Sequence, residues 1–468
     1  MNSEIIKTHK KLKSGKVSCV DLIQEKLDKL KNGPNNTTNY LLNELALAKA
    51  AKVDEKINKG EEIGVLEGIP FGIKDTYLLE GEYASASSNF LKNYKAPYTA
   101  TAIQKLIDAG AIPIVKENCD SFGHGSSNEN SVFGPVKNAL DENLVAGGSS
   151  GGSAVNVSKA YTIFSIGGDT GGSIRQPAGY NKVYGLKPTY GRISRYGLMA
   201  YASSTDCVGP ISKSLEDIRL LLNTMAGKDY HDQTSFDAPT ISENIFSVNY
   251  SGKDFKVGYY RNFIESDAIS PKIKDDFQSL IDKLKANNTE VKELEFFDSN
   301  ILVSTYYILA MAETASNLAR LDGTNYGERY TDENLKTGYA VTRSENFTEE
   351  TKRRIVGGNQ VLSHGHAEEI YLKAGKIRDQ IQNRFDQEFK EVDIIISPVS
   401  PQTPPPIGNS LKDPLSMYLS DAYTVGFSLG GLPTLTSPLA TDTGVQITAA
   451  KAGEETILKF AKFLEGII

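Results

Sequence analysis

The chain has 468 residues, of which 39% are hydrophobic and 23% are charged, a composition typical of a globular protein with a large core. Its formal net charge of -7 argues against a broad nucleic-acid-binding surface, and no apolar run reaches the roughly 18 residues that a membrane helix needs. The three cysteines and five histidines are too few and too dispersed for a disulfide framework or a metal site, so we expect the cysteines to be small buried residues. The first residues lack the apolar core of a signal peptide, and we therefore expect a cytoplasmic protein.

Residues 1–65 are predicted to form an N-terminal helical layer. Ser18 is placed to cap a leucine-rich helix, and the segment NYLLNELALAKAAKVDEKI, which begins at Asn39, continues with apolar residues at helical spacing. The intervening NGPNNTT is typical of a loop. The remaining residues, 66–468, are predicted to form one large α/β domain.

The segment 66–227 alternates between strand and helix patterns, as in an α/β core. An apolar strand ends at Lys74, a helix that begins near Thr101 ends at Gly110, and AIPIVKENC follows as another strand. Ser214 is placed to cap a further helix.

The second half of the chain has a different pattern. Residues 228–255 are polar and contain proline, which predicts a surface excursion, after which a strand starts at Lys256 and a helix opens at Ser270. Residues 301–390 are predicted to be mostly helical. Residues 391–468 then return to strands, beginning with the apolar VDIIISPVS, and end in a helix.

A glycine-serine segment, residues 147–177, carries the strongest functional signal. It reads GGSSGGSAVNVSKAYTIFSIGGDTGGSIRQP, with two glycine-serine clusters around an apolar run. Glycines let the backbone approach a ligand closely and leave neighbouring N–H groups free to donate. A flexible linker would not contain runs such as SAVNV and YTIFSI, which need burial, so the segment indicates a reaction centre.

The first cluster also fits the pattern G-x-S-x-G of the serine in α/β-hydrolases, which requires a histidine later in the chain. The candidates are His231, His364 and His366, and all three lie in polar stretches without an evident acidic partner. The sequence therefore disfavours a histidine base.

Lys74 is the alternative base. It ends the apolar run GIPFGIK, and burial lowers the pKa of a lysine because the charged form loses its hydration. A neutral amine can accept a proton from a serine. A salt bridge from Lys74 to Asp75 or to another carboxylate is the competing interpretation.

The order and spacing of Lys74, Ser149 and Ser173, within GGSSGGSA and GDTGGSIRQPA, resemble the amidase signature family. The resemblance implies an α/β fold of a single domain, in which a large mixed β-sheet is covered by helices on both faces. It also implies a triad in which Ser173 is the nucleophile, Ser149, held by a cis peptide, relays the proton, and Lys74 is the base. The oxyanion hole would consist of the amides of Thr170, Gly171, Gly172 and Ser173.

From about residue 10 to residue 450, stretches such as YYILAMAETASNLARLDGTNYG and YLSDAYTVGFSLGGLPTLTSP resemble the A subunits of glutamyl-tRNA(Gln)/aspartyl-tRNA(Asn) amidotransferases. This resemblance implies a glutaminase that holds free glutamine with Tyr306, Arg354 and Asp421. A guanidinium suits the α-carboxylate of glutamine and a carboxylate suits its α-ammonium. The resemblance implies no cofactor in this chain; B and C partner subunits would complete the complex, with ATP, magnesium and most of the tRNA bound by the partner.

The sequence departs from the family near residues 364–369, where HGHAEE replaces an expected pair of tyrosines, and at 442–449, where a C-terminal motif is shortened. Two alternatives stay open. One is a free-standing amidase for another small or aryl amide, and the other is a non-catalytic scaffold subunit. The intact triad argues against the scaffold, which has no need of a buried lysine.

Overall fold

The computed structural model describes residues 3–365, 367–439, 441 and 443–468, with the side chains of Pro414 and Ser416 excluded. His366 and Asp442, which belong to the two departures from the family pattern, lie outside the described residues. No helix in the described ranges is long and apolar enough to cross a membrane.

A single mixed sheet organises the described part of the chain. It has eleven strands in the spatial order β1-β3-β2-β4-β6-β5-β10-β11-β9-β7-β8. The strands are β1 (Thr38–Leu41), β2 (Pro70–Lys74), β3 (Ile112–Glu117), β4 (Phe164–Asp169), β5 (Tyr184–Lys187), β6 (Cys207–Ser212), β7 (Lys256–Tyr260), β8 (Glu290–Leu294), β9 (Ile394–Pro398), β10 (Thr434–Ser437) and β11 (Val445–Thr448).

Helices cover both faces of this sheet, which confirms the predicted fold class. In the described residues they are α1 (Glu4–Lys13), α2 (Cys19–Asn32), α3 (Asn43–Asn58), α4 (Thr101–Asp108), α5 (Gly151–Ser158), α6 (Arg175–Tyr180), α7 (Leu215–Met225), α8 (Arg261–Ile264), α9 (Pro271–Ala286), α10 (Ser299–Asn317), α11 (Leu335–Asn346), α12 (Glu349–Leu362), α13 (Leu372–Glu388), α14 (Asn409–Lys412), α15 (Pro414–Leu419), α16 (Val425–Leu429) and α17 (Glu454–Ile467).

Local sequence signals account for many of these boundaries. The side chains of Ser18, Ser214 and Ser270 accept hydrogen bonds from backbone amides in the first turns of α2, α7 and α9, as predicted. The predicted helix from Asn39 is wrong at its start, because Thr38–Leu41 pairs as strand β1 with β3 and α3 begins only at Asn43. Pairing with a sheet edge outweighs the helical spacing of a short apolar run.

The sheet brings the predicted reaction centre together. Strands β2 and β4 are buried along their whole length and pair in parallel, with Ile73 opposite Ile166 and the ring of Phe71 stacked on Phe164 at 5.0 Å. Their carboxyl ends therefore meet at one edge, as in many α/β enzymes. The three cysteines, Cys19, Cys119 and Cys207, are free and buried, as expected.

Candidate active site

Lys74 and Ser149 are in direct contact at this edge of the sheet. Lys74 is the last residue of β2, and its Nζ donates to Ser149 Oγ at 2.6 Å, to Ser150 Oγ at 3.0 Å and to the carbonyl of Gly168 at 3.4 Å. Only 2% of Lys74 and 1% of Ser149 is exposed. The lysine is thus surrounded by hydroxyl and carbonyl groups and is almost fully removed from bulk solvent.

Burial lowers the pKa of Lys74, the predicted direction, although Cys119 and nearby carboxylates oppose the shift. The competing interpretation, a salt bridge from Lys74 to Asp75 or to another carboxylate, is wrong for the described residues, in which Lys74 donates to hydroxyl and carbonyl oxygens. Asp75 pairs instead with the buried Lys116, with Nζ and Oδ1 3.3 Å apart. A lowered pKa gives Lys74 a larger neutral fraction near pH 7, which suits a proton acceptor.

The first glycine-serine cluster holds Ser149 tightly. The Gly148–Ser149 peptide bond is cis, as the family resemblance implies. The Gly148 amide donates to Gln176 Oε1 at 3.1 Å, and the Ser149 carbonyl accepts from the Asp120 amide at 3.3 Å. A side chain at position 148 would come within 2.1 Å of Asp120 Oδ2, so only glycine fits.

The second cluster is shaped by one carboxylate. Asp169 Oδ1 accepts from the Gly172 amide at 2.9 Å, and Oδ2 accepts from the Ile174 amide at 3.0 Å. Arg175 binds both oxygens of Asp169 through Nε and Nη2, at 3.0 and 2.9 Å. Burial opposes ionisation, yet the Arg175 guanidinium keeps the pKa of Asp169 below its usual value. The ionised Asp169 carboxylate therefore holds the backbone of the loop that carries Ser173 in this conformation.

This loop changes one expectation for the oxyanion hole. Because the Gly172 amide already donates to Asp169, it is not free to donate to an oxyanion in this conformation.

Ser173 is 8% exposed, and its carbonyl accepts from the Ser150 amide at 3.1 Å, which joins the two glycine-serine clusters.

Tyr306 lies directly against the loop. It belongs to α10, and a Cβ on Gly171 would meet its ring and hydroxyl at 2.5 Å. The Tyr306 hydroxyl donates to the hydroxyl of Tyr201 at 3.4 Å. The helical half of the chain thus reaches the glycine loop by a contact that leaves no space for a side chain at position 171.

Arg354, on α12, is buried in a ring of tyrosines. Its guanidinium lies over the rings of Tyr201 and Tyr307 at 5.3 Å each and over that of Tyr418 at 5.7 Å. Nη1 donates to the Tyr201 hydroxyl, and Nε donates to Glu350 Oε1 at 2.7 Å. Arg354 is therefore a fixed, nearly inaccessible cation and not a surface arginine of a helix.

Asp421 completes the cluster from the segment before α16. One of its oxygens, Oδ2, accepts from Ser126 Oγ and from the Tyr307 hydroxyl, each at 2.7 Å. Burial raises the pKa of Asp421 to about 6, while the Ser126 and Tyr307 hydrogen bonds and the charge of Arg354 limit the rise. The three residues that the resemblance implies for glutamine thus converge around Tyr201 and Tyr307.

His231 and His124 are both engaged with groups other than the serines of the site. His231 stacks on Tyr196 at 4.4 Å. His124 is buried between the hydroxyls of Thr351 and Thr314, and burial, assisted by Arg354, lowers its pKa well below the usual value. In the described ranges no three His, Cys, Asp or Glu residues are grouped to hold a metal ion.

Several site residues were missed by sequence reasoning, above all Ser150, Tyr201, Asp206 and Tyr307. Ser150 and Tyr307 directly follow the predicted residues Ser149 and Tyr306 in the chain, and this adjacency could have indicated that they belong to the site. Tyr201 and Asp206 lie in a loop before β6, and nothing in the local pattern of that loop shows which side chains point inward.

Two cavities adjoin the site. A small one of about 20 Å³, enough for a single water, is bordered by Lys74, Ser149 and Asp206. A cleft of about 300 Å³ lies next to it, lined mainly with tyrosines and leucines and also with Asn317 and Arg320. Phe122, Leu198 and Met199 border both spaces.

Comparison with known proteins decides the family. The sequence profile of the Amidase family matches residues 21–458. The chain belongs to the amidase family. The resemblance predicted from the two glycine-serine clusters is therefore confirmed, and the chain is an amide-hydrolysing enzyme by family.

This amidase is similar to curated A subunits of glutamyl-tRNA(Gln) amidotransferase. It is 39% identical to that of Prochlorococcus marinus over 97% of this chain and 96% of the relative, and 41% identical to that of Lachnospira eligens over 92% and 90%. The solved structure of the same subunit from Thermotoga maritima is 31% identical, with a TM-score of 0.77 over 96% of this chain and 93% of that chain. The predicted similarity to these A subunits is thus confirmed.

Proposed function

We propose that this amidase is the glutaminase subunit of a tRNA-dependent amidotransferase and supplies ammonia to convert Glu-tRNA(Gln) to Gln-tRNA(Gln), Asp-tRNA(Asn) to Asn-tRNA(Asn), or both. Its similarity over nearly the full chain to subunits of that name supports the assignment. B and C subunits complete the complex in the cytoplasm. The partner holds most of the tRNA and uses ATP and magnesium, and this chain needs no cofactor of its own.

Acylation begins at Ser173. Neutral Lys74 takes the proton of Ser149 along the 2.6 Å hydrogen bond, and Ser149 takes the proton of Ser173. Ser173 Oγ attacks the side-chain amide carbon of glutamine, and the amides of Thr170, Gly171 and Ser173 stabilise the oxyanion. The carbon–nitrogen bond then breaks, the proton returns through Ser149 to nitrogen, and ammonia leaves a γ-glutamyl ester on Ser173.

Deacylation uses the same groups, with water in place of Ser173 as the nucleophile. Water gives its proton through Ser149 to Lys74 and attacks the ester carbon; the bond from that carbon to Ser173 Oγ then breaks, the proton returns from Lys74 through Ser149 to Ser173 Oγ, and glutamate leaves. Burial of Lys74 supports both steps, since a solvated lysine would be a cation near pH 7 and could not accept a proton.

The observation that carries the substrate assignment is the convergence of a buried cation and a buried anion beside the glycine loop. Arg354 offers a guanidinium for an α-carboxylate, and Asp421 offers a carboxylate for an α-ammonium. Tyr307 lies between them, in contact with both. A simple amide without these charges would leave Arg354 and Asp421 without a partner from the substrate.

The test is ammonia release from glutamine by the purified chain, alone and with candidate B and C subunits, with Ser173→Ala as the blank. We expect low activity alone and higher activity with the partners, ATP and a misacylated tRNA. Absence of glutamine hydrolysis in the complete mixture would contradict the proposal. A serine-reactive probe that labels wild type but not Ser173→Ala excludes the scaffold alternative.

A free-standing amidase for aryl amides is the second candidate, and the aromatic lining of the cleft of about 300 Å³ favours it. Tyr94, Tyr98 and Tyr326 give this cleft aromatic walls, and Met199 and Phe122 line both the cleft and the small cavity beside Ser149. This candidate predicts fast turnover of an aryl amide by the isolated chain and no response to the partners.

A further inference from the structure

Asp206 lies between the glycine loop that carries Ser173 and the tyrosine cluster around Arg354, and it takes no part in the proton transfers of acylation or deacylation. It lies just before β6 and is 3% exposed. Its Oδ1 accepts from Thr170 Oγ1 at 2.6 Å and from the Ala202 amide at 3.2 Å, and its Oδ2 accepts from the Tyr201 amide at 3.0 Å. One buried carboxylate therefore holds the glycine loop on one side and the tyrosine loop on the other.

On each side Asp206 contacts a residue that is linked to a proposed function: Thr170 to the oxyanion hole and Tyr201 to Arg354. Thr170 precedes the nucleophile loop, and its amide is a proposed donor to the oxyanion. The Tyr201 hydroxyl accepts from Arg354 Nη1, and its ring lies under the guanidinium at 5.3 Å. The contacts run without interruption from Thr170 through Asp206 and Tyr201 to Arg354.

We propose that Asp206 is a positioning residue that fixes the oxyanion loop and the glutamine-binding arginine relative to each other. This inference rests on the proposed function for its glutamine part. The carboxylate is suited to the task because all three groups that face it are donors. An asparagine has only one acceptor oxygen, so its NH₂ group would face a donor on one side.

Burial raises the pKa of Asp206 to about 6, opposed by the Thr170 hydrogen bond and by the amides of Ala202 and Tyr201. The carboxylate is therefore mainly ionised near pH 7, the state in which it accepts from all three donors. Charge-assisted hydrogen bonds of this kind are stronger than neutral ones and hold geometry more firmly.

The test compares Asp206→Asn with Asp217→Asn. Asp217 is a buried aspartate in the first turn of α7, outside the site. It accepts hydrogen bonds from the Ser3 hydroxyl and the Glu4 amide, which lie at the start of α1. Two rates are measured: steady-state glutamine hydrolysis, and labelling of Ser173 by a small fluorophosphonate, which needs the oxyanion hole but not the glutamine pocket. Melting temperatures are recorded for all variants.

We expect Asp206→Asn to slow fluorophosphonate labelling about tenfold and to raise the glutamine KM about tenfold, the size of effect of losing a charge-assisted hydrogen bond. Asp217→Asn should lower the melting temperature and leave both rates near wild type. Thr170→Val, which removes only the hydroxyl, should slow labelling without changing KM. Combining Thr170→Val with Asp206→Asn should slow labelling no further.

Labelling of Asp206→Asn at the wild-type rate would overturn the proposal, as would an unchanged glutamine KM. Should Asp206→Asn not fold, a wild-type labelling rate in Thr170→Val overturns it equally. A wild-type chain that labels at Ser173 but releases no ammonia from glutamine contradicts the proposed function alone. The labelling comparison still decides the role of Asp206 in that case.

Discussion

The proposed catalytic floor, formed by Lys74, Ser149 and Ser173, comes from strand ends and glycine loops between residues 74 and 173. The proposed pocket wall, formed by Tyr306, Arg354 and Asp421, comes from α10, α12 and the segment before α16. The floor is held mainly by backbone groups, as where Asp169 accepts from the Gly172 and Ile174 amides. The wall is held by side chains on side chains, as where Arg354 lies over three tyrosine rings.

This difference suggests a division of labour, in which the floor carries out the chemistry and the wall selects the substrate. A floor built from backbone donors depends on glycines and buried carboxylates, and few substitutions preserve it. A wall built from side chains on helices can change its substrate by changing single residues while the floor stays intact. Removing a floor residue should therefore lower kcat, and removing a wall residue should raise KM.

The largest effect is expected for Ser173→Ala. Loss of the nucleophile should lower kcat for ammonia release about 10⁴-fold or more, because no covalent intermediate forms. The glutamine Kd, measured by calorimetry, should stay within about twofold, since the wall is untouched. Ser158→Ala, in the same segment but outside the triad, serves as the control and should keep wild-type activity. Substantial turnover by Ser173→Ala would assign the nucleophile elsewhere.

Arg354→Ala should act on binding. Truncating one partner of a buried charge pair costs about 2–5 kcal/mol, so the glutamine KM should rise about 100-fold or more with a much smaller change in kcat. Steady-state kinetics test this, with Lys352→Ala as the matched control, a half-buried lysine of the same helix that pairs with Glu349. A fall in kcat with unchanged KM would place Arg354 in the chemistry instead of the wall.

Gly171→Ala joins the two regions in one experiment. The new Cβ would lie 2.5 Å from Tyr306, so either the loop or the tyrosine must move. We expect kcat/KM to fall about 30-fold, shared between kcat and KM because both regions shift. Gly168→Ala is the control, since its Cβ would have no neighbour closer than 3.5 Å. Equal activity of both variants would mean that loop and wall do not depend on each other.

The smallest effect is the pH dependence of glutamine binding. Asp421 must be ionised to attract the α-ammonium, and burial raises its pKa to about 6. As pH falls through about 6 the charge is lost, so KM at pH 5 should be about tenfold higher than at pH 7, a factor set by the ionised fraction one unit below the pKa.

Asp421→Asn isolates this titration. Its KM should be high at pH 7 and should rise less between pH 7 and pH 5 than that of the wild type, because no carboxylate remains at position 421 while Asp206, whose pKa is also about 6, still titrates in this range. Kinetics at constant ionic strength provide the measurement. A wild-type KM that does not change between pH 7 and pH 5 would contradict a role for Asp421 in holding the ammonium.

The floor could be predicted from the sequence because its signals are local. Glycine marks the places where backbone must approach closely, and the apolar run before Lys74 indicates burial; the contact of Lys74 with Ser149 fits both. Helix caps at Ser18, Ser214 and Ser270 were predictable for the same reason, since a cap is a contact within one turn.

The sequence by itself determined the family, the strand that ends at Lys74 and the glycine loops, because these depend on spacing and on residues that lack a side chain. Only the tertiary structure decided that Thr38–Leu41 pairs as a strand, that Asp75 binds Lys116 and that Asp169 occupies the Gly172 amide. It also decided which tyrosines enclose Arg354. Each of these is a competition between partners far apart in the chain, and packing in three dimensions selects the winner.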